Sequence, residues 1–216
     1  FSSMKEKYKK YLNEDDKFSL KTKIGIYCLL IIIGGIFGFI YEYIFYFFDG
    51  GMDKFYWRGG NFLPWINIYA LGAVIIYPLV YRNRKKPLTV FLKSFIVCGV
   101  LEFVSGLLIY LIGNGARFWD YNTEILNFGN IYGFICLRSV TFFGLSGLIL
   151  TYLIVPFCYF IASKMNKKVF FVLSISIALV FLLDELYNSV LAPAFSWPRA
   201  IDIYTKWGFN FLKFLT

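Results

Sequence analysis

The sequence predicts an all-α integral membrane protein with about five transmembrane helices, an outer loop folded back on the bundle, and a C-terminal helix lying in the interface. Three observations predict this. The 216-residue chain is 59% hydrophobic and only 16% charged, against about 25% charged residues in soluble domains, and its mean hydropathy is +0.63. Its apolar residues gather in five runs, about 24–48, 63–81, 88–112, 131–161 and 169–192. Each is long enough as a helix to cross a hydrocarbon core of roughly 30 Å. Most of the Lys and Arg sit in short segments between these runs, which is the positive-inside pattern of membrane proteins.

The elements follow in order. Residues 1–23 form a polar segment carrying Lys5, Lys7, Lys9, Lys10, Lys17, Lys21 and Lys23. Phe1-Ser2-Ser3 precede Met4 and read as an appended remnant, and the first apolar run is too long, and lacks an A-x-A site, for a cleavable signal peptide. Residues 24–195 form the polytopic domain. The basic connectors Arg82–Pro87 and Lys164–Lys168, together with the N-terminus, are expected in the cytoplasm. Five crossings then place the C-terminus outside. In residues 196–216, Ile201, Tyr204, Trp207, Phe211 and Leu215 recur at helical spacing, which suits a short amphipathic helix in the outer interface. Ser196 is its expected cap, with Pro198 in the first turn. A sixth crossing is disfavoured by Lys206, Lys213 and Gly208.

The segment 113–130 suits neither a crossing nor an ordinary loop. Gly113-Asn114-Gly115 breaks the third run, Arg117-Phe118-Trp119-Asp120-Tyr121 alternates charge with aromatics, and Asn127-Phe128-Gly129-Asn130 follows. Irregular backbone at membrane depth persists only where protein or water satisfies it, so this loop is expected to fold onto the bundle. If the backbone is extended, Asp120 lies opposite Trp119 and Tyr121. Asp120 is expected to point inward, to close the outer mouth of a site and to pair with Arg58 or Arg117.

The charges inside the apolar runs mark that site. Glu42, Glu102, Arg138, Asp184 and Glu185 lie within them, and an ionisable group in hydrocarbon costs roughly 2.5–3.5 kcal/mol even on the lenient insertion scale. Gly34 and Gly38 form a G-x-x-x-G whose face continues to Glu42. Cys98, Glu102 and Gly106 share a face of the third run, and Asp184 stacks over Asn188, and Glu185 over Ser189, at i+4. Arg138 must find a carboxylate, with Glu42, Glu102 and Asp184 as its expected partners. The candidate ligand-binding set is Glu42, Arg58, Glu102, Arg117, Trp119, Asp120, Tyr121, Asn127, Arg138 and Asp184. Acidic residues outnumber basic ones in it, five to three when Glu185 is counted. Protonated carboxylates, a cationic ligand or coupled protons would each balance the charge.

Several function classes are disfavoured. The net charge of +9 sits in the connectors rather than on a nucleic-acid-binding face. His is absent, which removes the commonest general base and metal ligand. Cys28, Cys98, Cys136 and Cys158 are scattered singly, as small buried hydrophobes would be, so neither a metal nor a cofactor is expected. There is no G-x-S-x-G, H-E-x-x-H or Walker sequence.

One series carries a resemblance: Gly38-x-x-x-Glu42, Arg58-Gly59 leading to Pro64, Ile68-Tyr69-x-x-Gly72-Ala73, Leu101-Glu102, Arg117-x-Trp119-Asp120-Tyr121, Asn127-x-Gly129, and Ile135-Cys136-Leu137 before Ser139 and Gly144. In this order, over about residues 30–157, it resembles the bacterial CmpB-like ABC-transporter permease family, to which a vertebrate multipass membrane protein family is similar. The W-D-Y followed by N-x-G is its most specific piece. The chain departs from the family pattern at Gly60–Gly72 and has a longer stretch at Asn130–Phe134. The resemblance implies transport, with a partner transporter subunit. The leading reading is a transporter, permease or substrate-binding membrane subunit with an outward-facing polar site for a small polar, cationic or zwitterionic ligand, in the bilayer with a partner transporter subunit or as a homo-oligomer. The alternatives are a membrane-embedded enzyme acting on lipid headgroups, with Asp120, Glu102 or Asp184 as acid or base, and a structural or regulatory membrane protein without a ligand.

Overall fold

The computed structural model describes residues 2–13, 18–49, 57, 59–117 and 119–208. They form α1 (Ser2–Asn13), α2 (Leu20–Asp49), α3 (Asn67–Tyr81), α4 (Pro87–Ile112), α5 (Leu137–Lys164), α6 (Lys167–Phe195) and α7 (Ala200–Lys206). The all-helical class is as the sequence predicts: among the described residues there is no strand, only an isolated bridge between Ile131 and Ile135. Helices α2, α4, α5 and α6 are long and apolar enough to cross a membrane. Helix α3 is apolar but has 15 residues, about 22 Å at 1.5 Å per residue.

Three boundaries differ from expectation, each for a local reason. Helix α3 starts at Asn67 rather than near Leu63, because Phe62 and Leu63 donate their amides to a carboxylate of α6 instead of to a helix. Helix α5 starts at Leu137 rather than near Ile131, because Tyr132 and Gly133 take left-handed φ angles of 54° and 77°. Ser196 does not cap α7. It sits at φ 53° and ends α6, while Arg199 precedes α7 and donates its amide to Asp202 Oδ2 at 2.8 Å. A polar side chain is thereby supplied at the helix N-terminus from inside the first turn.

The chain divides into two compact units. One comprises Asp16–Val74 and Phe157–Thr216. Within it the G-x-x-x-G of α2 brings α3 close: a Cβ on Gly34 would meet the Tyr69 carbonyl at 3.0 Å, and one on Gly38 would fall on the Tyr69 ring. The core is Ile32, Trp65, Ala70 and Phe181, with the Trp65 and Phe181 rings edge-to-face at 5.3 Å. The irregular stretch 59–66 lies against α2 and α6, and both helices satisfy it. Asp184 accepts the amides of Phe62 at 2.9 Å and Leu63 at 3.0 Å. Gly35 lends its carbonyl to the Ile66 amide at 3.0 Å, and Asn61 Nδ2 donates to Glu185 at 2.6 Å. A π-type turn at Tyr187–Leu191 follows. From it Asn188 donates to Asp184 Oδ1 at 2.8 Å and accepts the Ala200 amide at 2.7 Å, so the same cluster seats α7.

The other unit comprises Phe1–Asp15 and Ile75–Pro156. Helices α4 and α5 pack through small residues. A Cβ on Gly99 would press on Val140, and Gly144 and Gly147 leave room for Phe91 and Ser94. At one end Arg84, 5% exposed, donates to the carbonyls of Tyr11 at 2.6 Å and Tyr81 at 2.8 Å. Its guanidinium lies 4.2 Å from the Tyr81 ring centre. The C-terminal turn of α1 is thereby fixed to the connector before α4, because its otherwise unmet carbonyl receives a charged donor.

The hold of Asp184 on residues 59–66 generates the first prediction. Asp184→Ala leaves the part-buried amides of Phe62 and Leu63 without an acceptor, at about 1–3 kcal/mol per orphaned group, and leaves the Asn188 side chain only the backbone carbonyl of residue 184. Unfolding followed in mixed micelles should show a loss of about 3 kcal/mol. A variant as stable as the parent would remove the clamp from the account.

Candidate functional site

The site is built where the loop 113–136 returns onto α4. Helix α4 ends because Asn114 and Gly115 take left-handed φ angles of 51° and 91°, and the Gly115 amide turns back to the Tyr110 carbonyl at 2.8 Å. The chain then passes without helix through Trp119-Asp120-Tyr121. Side chains alternate there, as in a strand. Trp119 and Tyr121 turn toward α4: a Cβ on Gly106 would meet Trp119 at 3.2 Å, and Trp119 Nε1 donates to the Phe134 carbonyl at 3.0 Å. Asp120 goes the other way.

Tyr121 makes the central contact. Its hydroxyl donates to Glu102 Oε1 at 2.5 Å. The second carboxylate oxygen, Oε2, accepts from Ser139 Oγ at 2.8 Å. Ser139 sits in the first turn of α5, buried, within 3.3 Å of the Cys136 amide. Burial, reinforced by the Glu102 charge, pushes the Tyr121 phenol well above its ordinary pKa, so it serves as a neutral donor. A carboxylate on a long apolar helix is thus met by two hydroxyls from the returning loop and the next helix.

Arg138 has a partner that the sequence did not suggest. It forms an ion pair with Glu124, not with Glu42, Glu102 or Asp184 as expected. The pair is nearly closed to solvent, with side-chain exposures of 13% and 9%. The Arg138 guanidinium also stands 5.3 Å from the Tyr121 ring centre. The loop that carries Tyr121 therefore also brings its own counter-charge. Glu124 lies 14 residues before Arg138, in a segment already expected to fold back, and that is the signal that could have found it. Ser139 had a weaker one, as the hydroxyl beside a membrane arginine.

The rim of the site is a second layer. Arg117 lies 3.5 Å from Asp120, donates to the Tyr132 carbonyl at 2.7 Å, and stacks over Phe134 and Tyr110 at 4.7 and 5.0 Å. The expected pairing of Asp120 with Arg117 is present. The inward position expected for Asp120 belongs instead to Tyr121. Asp120 Oδ1 organises the turn, accepting from Asn122 N at 3.0 Å and Asn122 Nδ2 at 2.6 Å. Asn130 Nδ2 donates to Asn122 Oδ1 at 2.8 Å, and Asn130 Oδ1 accepts the Gly133 amide at 2.8 Å. Asn127 touches this ring through the Asn122 carbonyl at 3.5 Å. Gly133 must be glycine on two counts: its φ is 77°, and a Cβ would run into Arg117, Asp120 and Asn122.

Of the expected site residues, the structure thus gathers Glu102, Arg117, Trp119, Asp120, Tyr121, Asn127 and Arg138 in one unit, and adds Glu124, Ser139, Asn122 and Asn130. Glu42 and Asp184 belong to the other unit. Glu42 is half-buried on α2. Asp184 is 7% exposed and engaged by the amides of Phe62 and Leu63 and by Asn188. Arg58 lies outside the described residues.

A family model described as "Putative ABC-transporter type IV" matches residues 29–189, well over half of the chain, and the chain belongs to that family. The match bears out the resemblance drawn from residues 30–157 and carries it through Asp184 and Glu185. With its long apolar helices, the chain is a multi-pass, transporter-like membrane protein. No curated protein and no solved structure matches it.

The Arg138–Glu124 pair gives the second prediction. Breaking a buried pair from one side costs about 3–5 kcal/mol, while replacing both partners costs much less. Arg138→Gln should therefore destabilise more than Arg138→Gln combined with Glu124→Gln. A double-mutant cycle read by unfolding in mixed micelles checks this. Additive losses would mean that the two side chains do not depend on each other.

Proposed function

Starting from that family membership, we propose that the protein is a transporter, or the substrate-binding membrane subunit of one, for a small cationic or zwitterionic ligand. The site is centred on Glu102 and covered by residues 117–133. The observation that carries this reading is the charge count around Glu102. Two carboxylates, Glu102 and Glu124, share the neighbourhood with one guanidinium, Arg138, which is committed to Glu124. Glu102 meets neutral hydroxyls. Hydroxyls stabilise a carboxylate without cancelling its charge, so its surroundings favour a cation or a proton. Tyr121 adds an aromatic face beside the carboxylate, a combination suited to ammonium groups. In this reading Asp120 and Arg117 shape the mouth of the site rather than contact the ligand.

The orientation belongs to the same proposal. The basic N-terminal segment and the connectors Arg82–Pro87 and Lys164–Lys168 face the cytoplasm, which puts the loop 113–136 and the site on the outer side. The C-terminal residues 196–216 lie along the outer interface. The break between α5 and α6 spans only Met165 and Asn166. A coupling helix of several turns has no room there at 1.5 Å per residue. The short connectors favour a substrate-binding subunit that works beside another chain.

Two measurements test this. In a background with Cys28, Cys98, Cys136 and Cys158 replaced, Asn122→Cys, which is solvent-exposed, should react with an impermeant maleimide on intact cells. Reaction only after lysis would reverse the topology. For the ligand, tetramethylammonium and glycine betaine should raise the melting temperature of the purified protein. Acetate should not, and Glu102→Gln should abolish the shift while keeping the helical spectrum. An equal shift in the Gln variant would place the ligand elsewhere.

A further inference from the structure

The opposite end of the same unit carries a feature that the Glu102 site does not use. Between α1 and the Arg82–Pro87 connector lies a cleft of about 610 Å³. Its lining mixes apolar side chains, Leu12, Pro87 and Leu148, with polar ones, Tyr8, Arg84, Lys85 and Tyr152. The buried Arg84 ties together the elements that carry this lining. It grips α1 through the Tyr11 carbonyl, and its own carbonyl accepts the Tyr152 hydroxyl of α5 at 2.8 Å. Lys85 and Lys86 stand exposed at the rim. Among the described residues neither has a carboxylate partner. Lys9 and Lys10 are exposed on α1 in the same unit.

We propose that this cleft binds the phosphate of an acidic membrane phospholipid, with the acyl chain leaving along α5. Cationic and apolar side chains in one lining suit an occupant that is anionic at one end and apolar at the other. Leu148 continues at i−3 to Leu145, which is 48% exposed on the lipid-facing side of an apolar helix. A chain that starts at Leu148 therefore has an apolar track to follow. Basic pockets between membrane helices hold acidic headgroups by this combination of charge and apolar surface. A free phosphate offers only the charge. The occupied cleft would tie α1 to the connector and α5, adding a lipid to the contacts that Arg84 already makes. The site is independent of the reading of Glu102, and neither stands or falls with the other.

The test uses the purified full chain in dodecylmaltoside, titrated with dioleoylphosphatidylglycerol, with dioleoylphosphatidylcholine and with sodium phosphate, and read as the shift in melting temperature. Ligands that bind the folded state raise it. The acidic lipid should raise it more than the zwitterionic one, and phosphate should not. Lys85→Gln with Lys86→Gln should weaken the half-saturating lipid concentration roughly fivefold per lysine. The control Lys167→Gln with Lys168→Gln removes the same charge from the other basic connector and should change it by less than about twofold. Leu148→Asn keeps the charge and should also weaken the acidic lipid. Equal losses in the two lysine double variants would reduce the effect to general surface charge and overturn the site. A shift by phosphate matching that of the lipid would overturn the lipid as its occupant.

Discussion

A carboxylate on a helix that crosses hydrocarbon must be met by hydrogen-bond donors, and an irregular backbone at that depth must be met by acceptors. This chain answers both demands with one device, used once in each unit. On α6, Asp184 takes the amides of Phe62 and Leu63, so the carboxylate and the non-helical stretch before α3 satisfy each other. On α4, Glu102 takes the Tyr121 hydroxyl, and the returning loop gains its anchor from the charge that needed a partner. These contacts add to the backbone bonds that each segment makes for itself, such as Tyr121 N to the Gly133 carbonyl and Trp65 N to the Leu63 carbonyl.

The two devices differ in chemistry, and the difference assigns their roles. Asp184 is engaged by two backbone amides and the Asn188 side chain. Backbone donors are fixed in place, so this carboxylate is set as a clamp. Glu102 is engaged by side-chain hydroxyls on a loop and on a neighbouring helix. Hydroxyls rotate and exchange partners at little cost, so this contact is less fixed than the Asp184 clamp, as the proposed ligand site at Glu102 requires. The adjacent Arg138–Glu124 pair keeps the loop in place when the Tyr121 contact breaks, because it closes a second, separate link between α5 and the same loop. Gly133 permits the tight turn that brings both links together.

Much of this architecture could be read from the sequence, because membrane constraints act through composition. The five apolar runs, the glycine packing face of α2, the break at Gly113-Asn114-Gly115 and the stacking of Asp184 over Asn188 all follow from periodicity and small-residue spacing, though spacing does not name α3 as the helix that meets that face. The partner of Arg138 did not. Spacing relates residues on one helix, while Glu124 reaches Arg138 through a loop whose path is set by left-handed residues at 126, 129, 132 and 133. The start of α3 was missed for a related reason. Leu63, Trp65 and Ile66 look helical by hydropathy, but Asp184, more than a hundred residues away, draws off the amides of Phe62 and Leu63, and the Gly35 carbonyl of α2 takes that of Ile66. Ser196 failed as a cap because the turn at the end of α6 recruited it first. In each case a contact distant in sequence overrode a correct local preference.

The measurement that bears most directly on the shared device is amide hydrogen exchange, resolved by peptide, on the parent, Asp184→Ala and Glu102→Ala in detergent. Exchange reports local opening segment by segment. The account predicts that Asp184→Ala speeds exchange in residues 59–66 and leaves 119–136 as in the parent, while Glu102→Ala does the reverse. Uniform acceleration in both variants, or none in the segment facing the lost carboxylate, would contradict the claim that each helix carboxylate holds its own irregular segment.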